Sequence, residues 1–484
     1  MKALRYLIVS CVIAVALSAF INSKNGNKVA TTVADTAGYL VDTLARDMIV
    51  PWQIVFLPDN TMLFTERSGK LHIYRDGRLI DKPAFVIADI PQNNKTGMLG
   101  MTIHPDFAKN HFIYIANDYW QGNRIRLQIV RYEFRNDTLI KPFVIKDDIH
   151  ANRNHTGSRL VFGPDRKLYI TTGDADEAIL SQDLKTYNGK ILRVNDDGTV
   201  PADNPFVNND TARKEIWTYG HRNPQGLVFQ PGTNSLFETE HGPTGGDEIN
   251  IIKKGMNYGW PIIHHQQTRN GMITPLAEFS PSIGPSEAMF YSGDKFPQLK
   301  GKLLVATLRG ESILKVSLDG DKVVGQEVML KRVYGRIRSL VTGPDGYIYF
   351  STSMIGPEEG RRSPGYDMVL RLRPSGTKNT LLASQKIEAN TVAQTSPQKT
   401  TTPMLYQQMC ASCHGDNLQG TDKGANFLAA QLKHGVTKAA LVNTITNGVL
   451  DKGMPAWNGA INKADIIKIA DFILAKRKAG LKKK

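Results

Sequence analysis

The chain has 484 residues, 41% of them apolar, which is ample for a large core and one small further domain, both globular. A formal net charge of +15 would suit a nucleic-acid binder. No recognition helix or aromatic-basic platform accompanies that charge, so nucleic acid is excluded in favour of acidic small molecules or acidic redox partners.

At the N-terminus, Lys2 and Arg5 precede an apolar run from Tyr6 to Phe20 that ends among the small residues Ala16, Ser18 and Ala19. This is the pattern of a cleavable export signal, so residues 1–20 are read as a signal peptide and the protein as periplasmic or otherwise exported. The run is too short for a transmembrane helix, and membrane association is expected only if the segment stays uncleaved. Ile8-Val9-Ser10-Cys11 makes a poor lipoprotein box because too few apolar residues precede the cysteine. Only Cys410 and Cys413 then remain, and neither is available for a structural disulfide if both serve a cofactor.

Downstream, one phrase repeats. Trp52–Asp59, Met101–Asp106, Leu160–Asp165, Leu227–Gly232 and Leu340–Asp345 each join an apolar strand to a Pro-Asp or Pro-Gly turn, followed by a second strand such as Lys167–Thr172. The turns recur roughly every 50 to 65 residues, as in four-stranded propeller blades with large loops. The interval from Pro231 to Pro344 spans two periods and holds a further strand pair, Lys302–Thr307 and Ile313–Val316. Residues 37–375 are therefore read as one all-β, six-bladed propeller.

A propeller gathers its loops around a central channel, and the loops here are chemically unusual. Asn154-His155-Thr156-Gly157 and Gly220-His221-Arg222-Asn223-Pro224-Gln225 precede strands, while Glu240-His241-Gly242-Pro243 follows one. Thr307-Leu308-Arg309-Gly310 and Gly335-Arg336-Ile337-Arg338 come later. Each arginine alone reads as a surface charge. Four converging on one site would repel unless a polyanion sat between them.

Residues 376–402 exchange the strand pattern for Ser, Thr, Gln and Lys with Pro breakers, and read as a flexible linker. A coil of about 27 residues reaches roughly 28 Å, enough to let a tethered domain visit the propeller mouth without a permanent interface. Beyond it, Cys410-Ala411-Ser412-Cys413-His414 has the spacing at which two thiols bond one haem and the histidine ligates its iron. A zinc site would need further ligands, and none is suitably placed. Met454, in Gly453-Met454-Pro455-Ala456-Trp457, is the candidate for the opposite axial position. Met404 and Met409 read as core, and His434 as a surface histidine. Leu405 lies on the inner face of a helix entering the motif, and Asp465–Lys478 reads as an amphipathic helix with Ile466, Ile469, Phe472 and Ile473 inward. The basic end, Lys476-Arg477-Lys478, is expected to be solvated. From Pro403 to Lys484 the chain resembles a class I cytochrome c, an all-α domain assigned residues 403–484.

Asn154-His155, His221-Arg222-Asn223-Pro224-Gln225, Gly242-Pro243 with Asp247-Glu248, Asn257-Tyr258-Gly259-Trp260-Pro261 and Arg336-Ile337-Arg338 together resemble the soluble quinoprotein glucose/sorbosone dehydrogenases, or aldose sugar dehydrogenases, in the same order along the whole propeller. That family binds pyrroloquinoline quinone (PQQ), whose three carboxylates account for the arginines. The resemblance implies that His155 is the base taking the substrate hydroxyl proton and that Arg222 and Asn223 meet the quinone carbonyls. It makes Arg336 and Arg338 clamps on the cofactor, and the Gly242 and Pro243 carbonyls ligands of a calcium ion. Glu248 and the Tyr258 carbonyl would bind a second calcium.

Three positions depart from the family pattern: Lys95 replaces a sugar-contacting Gln, Asn154 an acidic neighbour of the base, and Arg309 a cofactor-binding lysine. The first two leave the sugar unspecified, and the third keeps the charge. The expected function is oxidation of an aldose or related hydroxyl or aldehyde compound through PQQ, with electrons passed to haem c and on to another cytochrome or a terminal oxidase. The alternatives are a non-catalytic carbohydrate-binding propeller carrying the cytochrome, and a metal-dependent lactone hydrolase. The second explains neither arginines nor haem.

Overall fold

The computed structural model describes residues 33–35, 39–91, 95–243, 245–353, 367–374, 398–399, 401–415, 417–421, 424–429, 431–449, 454, 457 and 463–481. The expected signal segment, residues 1–20, and most of the expected linker lie outside the described residues. Six sheets of four or five strands are arranged as blades, and the first strands of adjacent blades neighbour one another all the way round. The fold is a six-bladed β-propeller followed by a small helical domain.

The repeated Pro-Asp phrase makes hairpins for a local reason. Asp59, Asp165 and Asp345 each accept a hydrogen bond from the backbone N–H two residues on, at 3.0, 3.1 and 3.1 Å, which folds the chain back before the second strand. In two blades a tyrosine on that returning strand, Tyr169 or Tyr349, donates to the same aspartate at 2.9 and 2.7 Å. The fifth blade lacks the phrase. Its first two strands, Pro285–Phe290 and Leu303–Thr307, are joined through a 3-10 turn at Pro297–Leu299, which accounts for the doubled interval in the repeat. Strand Tyr39–Met48 pairs with Asp367–Pro374, so the N-terminal strand completes the last blade and closes the ring.

Apolar clusters fill each of the six seams between blades, with Leu63, Ile73, Ile113, Ile170, Leu192, Phe237, Leu303, Leu340 and Phe350 almost wholly buried. Each such side chain contributes about 1.5–3 kcal/mol. Near the start of its first strand every blade shows a register shift, between Pro51/Gln53, Met98/Met101, Gly157/Leu160, Pro224/Gly226, Pro285/Ala288 and Ile337/Leu340. Bulges there turn polar side chains toward the axis. Glu287 accepts from Gln53 Nε2 at 2.6 Å and from Leu340 N at 2.9 Å, and pairs with Arg159 at 3.0 Å. Arg159 lies over the Trp52 ring at 4.2 Å, and this polar belt floors the axial cavity.

In the C-terminal domain, helix Thr402–Met409 runs into Ala411–His414, and Lys438–Asn447 and Lys463–Leu481 pack beside them. Ile466, Ile469 and Ile473 are buried as expected, and the Phe472 ring is tilted against Tyr406 with centroids 5.4 Å apart. His434 is exposed, as expected. Arg477 departs from the expected solvated end: it turns inward to donate to the Phe427 carbonyl and is 6% exposed. No helix among the described residues is long and apolar enough to cross a membrane.

The expectation of no lasting interface differs from the structure. Ile262 and Ile263 of the propeller belong to the same apolar cluster as Leu405, Tyr406, Ala411 and Ile466. Arg269 is ion-paired with Asp465, and Gln398–Lys399, at the end of the expected linker, pair in parallel with Gln267–Thr268. Apolar burial and a cross-domain ion pair outweigh the freedom that linker composition alone suggested.

Candidate active site

Residues just before first strands and just after second strands meet at one end of the ring. Val50, Lys95, His155, Asn223 and Arg336 come from the first group, and Arg67, His241, Leu308 and Arg309 from the second. With Trp52, Gln225 and Arg338 they line an axial cavity of about 80 Å³. Arg67, Lys95, Arg309, Arg336 and Arg338 are cationic, and no described residue lining the cavity is acidic.

Arg338 is 9% exposed, and burial, reinforced by repulsion from Arg336, Arg159 and Arg67, pushes its guanidinium well below the ordinary range. It donates to Gln225 Oε1 at 2.7 Å and to Ser286 at 3.2 Å, while its Nε is buried without a partner. Arg336 Nε donates to the Ser353 carbonyl at 3.0 Å. Burial, then the charges of Arg338, Arg222 and Lys95, hold His241 well below its ordinary value and so neutral.

His155 sits at the cavity edge with a left-handed backbone, φ 54°. Such strain in a non-glycine residue persists only where its surroundings over-determine it. Its Nδ1 is 2.7 Å from Asp174 Oδ1 and 3.2 Å from Asp176 Oδ1. The acidic neighbour missing at Asn154 is thus supplied from the loop after the second strand of the same blade. Asn154 itself donates to Asp176 at 3.1 Å. Asp174 also accepts from Trp260 Nε1 at 2.8 Å.

A second, adjoining cavity is lined by Arg222, His241, Gly242, Pro243, Glu248, Tyr258 and Trp260. Arg222 belongs here: it donates to the His241 carbonyl at 3.1 Å and lies 5.3 Å over the Trp260 ring, with its Nε buried and unpartnered. The 221–223 turn is fixed by Glu240, which accepts from Arg222 N at 2.6 Å and Asn223 N at 3.3 Å and is 3.2 Å from His221 Nδ1. Asn250 reaches Glu238 and Glu248 at 3.0 Å each. Burial, then the charge of Glu240, pushes the Glu238 and Glu248 carboxyls well up. His221, Glu238 and Glu240 offer ligand atoms within 4.8 Å of one another.

In the helical domain, Cys410 is half-buried and the Cys413 side chain lies outside the described residues. His414 Nδ1 is 3.0 Å from the Ala425 carbonyl, and the ring stacks on Phe427 at 4.3 Å. Donation from Nδ1 fixes the tautomer and leaves Nε2 with its lone pair. Met454 pairs with Val449 in a two-bond bridge and packs on the cluster that also receives Cys410.

The sequence-expected residues thus converge in three groups: His155, Asn223, Arg309, Arg336 and Arg338 on the axis; Arg222, Gly242, Pro243, Glu248 and Tyr258 beside it; Cys410, His414 and Met454 in the helical domain. Arg67 and Asp174 were not expected, and Glu240 and Trp260 stood in motifs singled out from the sequence with no role of their own. The phase of the repeat marks the first two, since Arg67 follows the first blade's second strand and Asp174 the third's, as His241 follows the fourth's.

These features define a propeller dehydrogenase joined to a c-type cytochrome domain. The chain belongs to the Glucose / Sorbosone dehydrogenase family, which residues 48–360 match. Residues 397–473 match the family described as Cytochrome C oxidase, cbb3-type, subunit III. The chain is 35% identical to the aldose sugar dehydrogenase YliI of Escherichia coli over 67% of its own length and 92% of that protein. To quinoprotein glucose dehydrogenase B of Acinetobacter calcoaceticus it is 33% identical, over 62% and 82%. Among solved structures it resembles the PQQ-bound aldose sugar dehydrogenase of Streptomyces coelicolor, with a TM-score of 0.60 and 28% identity over 70% of this chain and 99% of that one.

Proposed function

We propose that the chain is an exported quinohaemoprotein that oxidises an aldose sugar, or a related hydroxyl or aldehyde compound, with PQQ, and passes the electrons to haem c in its own C-terminal domain. The observation that carries this reading is the axial cavity, where five cationic side chains face no acidic one among the described lining residues. A tricarboxylate supplies the missing charge, and the partnerless Nε atoms of Arg222 and Arg338 are donors waiting for it. Arg309, Arg336 and Arg338 would hold its carboxylates, with Arg222 and Asn223 serving its carbonyls. Gly242 and Pro243 would offer carbonyl oxygens to calcium, and Glu248 and the Tyr258 carbonyl would hold a second ion, the hard donor set calcium takes. The raised Glu238 and Glu248 carboxyls fit a nearby cation, which would return them to the charged form.

When bound, the quinone supplies a two-electron acceptor and the haem a one-electron outlet. His155, oriented through Nδ1 by Asp174, presents Nε2 to take the substrate hydroxyl proton. Cys410 and Cys413 would bond the haem, with His414 and Met454 on its iron, and another cytochrome or a terminal oxidase would receive the electrons. The test is to load the haem-bearing chain with PQQ and calcium and follow haem absorbance on adding aldoses and simple alcohols. Failure of every substrate to reduce a haem that dithionite still reduces would sink the reading.

Two substitutions probe the parts. Arg336→Ala with Arg338→Ala is expected to weaken quinone binding roughly 10²- to 10⁴-fold, since each charge-assisted contact is worth about 1.5–3 kcal/mol. The unfolding midpoint should move far less, because Arg338 is a desolvated cation repelled by its neighbours. Equal quinone affinity in titrations of both proteins would remove the clamp. Met454→Ala is expected to leave haem covalently attached while abolishing the long-wavelength sulfur–iron absorption of the ferric protein, whereas an unchanged spectrum assigns the ligand elsewhere.

A further inference from the structure

The segment Gly259–His265 touches both chemistries. On one side Trp260 Nε1 donates to Asp174 Oδ2 at 2.8 Å, and Asp174 Oδ1 is 2.7 Å from His155. On the other, Ile262 is fully buried and Ile263 is 4% exposed within the apolar cluster of the haem-binding domain. The segment is a stiff turn: Ile262 N and Ile263 N both donate to the Gly259 carbonyl, at 2.6 and 2.9 Å. A Cβ on Gly259 would stand 2.1 Å from Ile263 Cγ1, so the Ile263 side chain packs directly on the backbone of the turn. Trp260 is anchored besides through its carbonyl, which accepts from Ser181 and Gln182 at 2.6 Å each. Just beyond the turn, Arg269 is paired with Asp465 in the first turn of the last helix.

We propose that Gly259–His265 is a coupling strap: the haem-binding domain, seated on Ile262 and Ile263 and held by Arg269–Asp465, fixes Trp260 and through it the Asp174–His155 pair. Trp260 is then a positioning residue, and the base is best ordered when the domain that takes the electrons is in its seat. This rests on the reading of His155 as the base.

The test uses the full haem-loaded chain and amide hydrogen exchange, which needs neither PQQ nor turnover. Arg269→Asp, and separately Ile262→Ser, should raise exchange at Ile262 and Ile263 and in 466–473 by about tenfold or more. They should also raise it at Ala175 and Asp176, whose amides donate to the His155 carbonyl at 3.2 Å and to Asp174 Oδ1 at 2.9 Å. Adding Asp465→Arg to Arg269→Asp should restore protection at both places. Wild-type exchange in the single variants overturns the seat, and faster exchange confined to the seat overturns the coupling. Trp260→Phe, which keeps an aromatic ring and loses the donor, should loosen Ala175 and Asp176 while leaving Ile262 and Ile263 protected. With a two-electron dye as acceptor, bypassing the haem, Arg269→Asp should lower kcat several-fold at nearly unchanged KM, with rescue in the charge swap. A wild type that oxidises no sugar would overturn the proposed function, and the exchange results would still decide the strap.

Discussion

His155→Ala is expected to slow sugar oxidation by about 10²- to 10⁴-fold, the range for loss of a general base. Quinone binding should persist, because the cationic side chains that line the axial cavity are separate from the imidazole. Dithionite should still reduce the haem, since the base acts before any electron reaches iron. The control is His414→Ala, which removes the proposed iron ligand and lies outside the propeller. A two-electron artificial acceptor should rescue turnover in the His414 variant and fail to rescue the His155 variant. Like behaviour of the two with that acceptor would mean that the order of substrate, quinone and haem is wrong. Asp174→Asn should fall between wild type and His155→Ala, because it keeps the size of the side chain and weakens the 2.7 Å contact that orients the ring.

How much of this was legible beforehand follows the physics of each feature. The blades were readable because strand period and the Asp-led turn are local, and each turn closes over two residues. The fifth blade hid behind its longer connection. The closing strand Tyr39–Met48 carries no turn phrase, and its partner lies at the far end of the propeller. In the site, His155, Asn223 and Arg336 stand in loops and Arg338 at the start of a strand, all with distinctive neighbours, whereas Asp174 and Arg67 gain meaning only once the ring places second-strand ends beside first-strand starts. Glu240 looked like part of a loop motif; only the fold shows its carboxylate holding the Arg222 and Asn223 amides. Domain docking is not legible in the linker, because its polar composition says nothing about the Ile262–Ile263 turn on which the helical domain packs.

The polar belt beneath the cavity yields the largest expected effect on stability. Arg159 is 1% exposed, and Glu287 is its acidic partner, at 3.0 Å. Glu287→Leu would leave that guanidinium buried and uncompensated and would strip acceptors from Gln53 and Leu340 N. Breaking a buried pair from one side typically costs about 3–5 kcal/mol, whereas replacing both partners with apolar groups is often neutral. Glu287→Leu should therefore lower the denaturant midpoint of the propeller strongly, and Glu287→Leu with Arg159→Met should recover most of the loss. If the double variant were no more stable than the single one, the belt's value would lie in shape and hydrogen bonding rather than in charge compensation. The belt also reaches the site. Gln225 accepts from Arg338 at 2.7 Å and donates to Asn223 at 3.0 Å, while Arg159 donates to the Gln225 carbonyl at 2.9 Å. Loosening Arg159 should therefore misplace Arg338 as well, so quinone affinity should fall in the single variant under conditions where the propeller is still folded, and calorimetric titration below the unfolding transition separates the two effects.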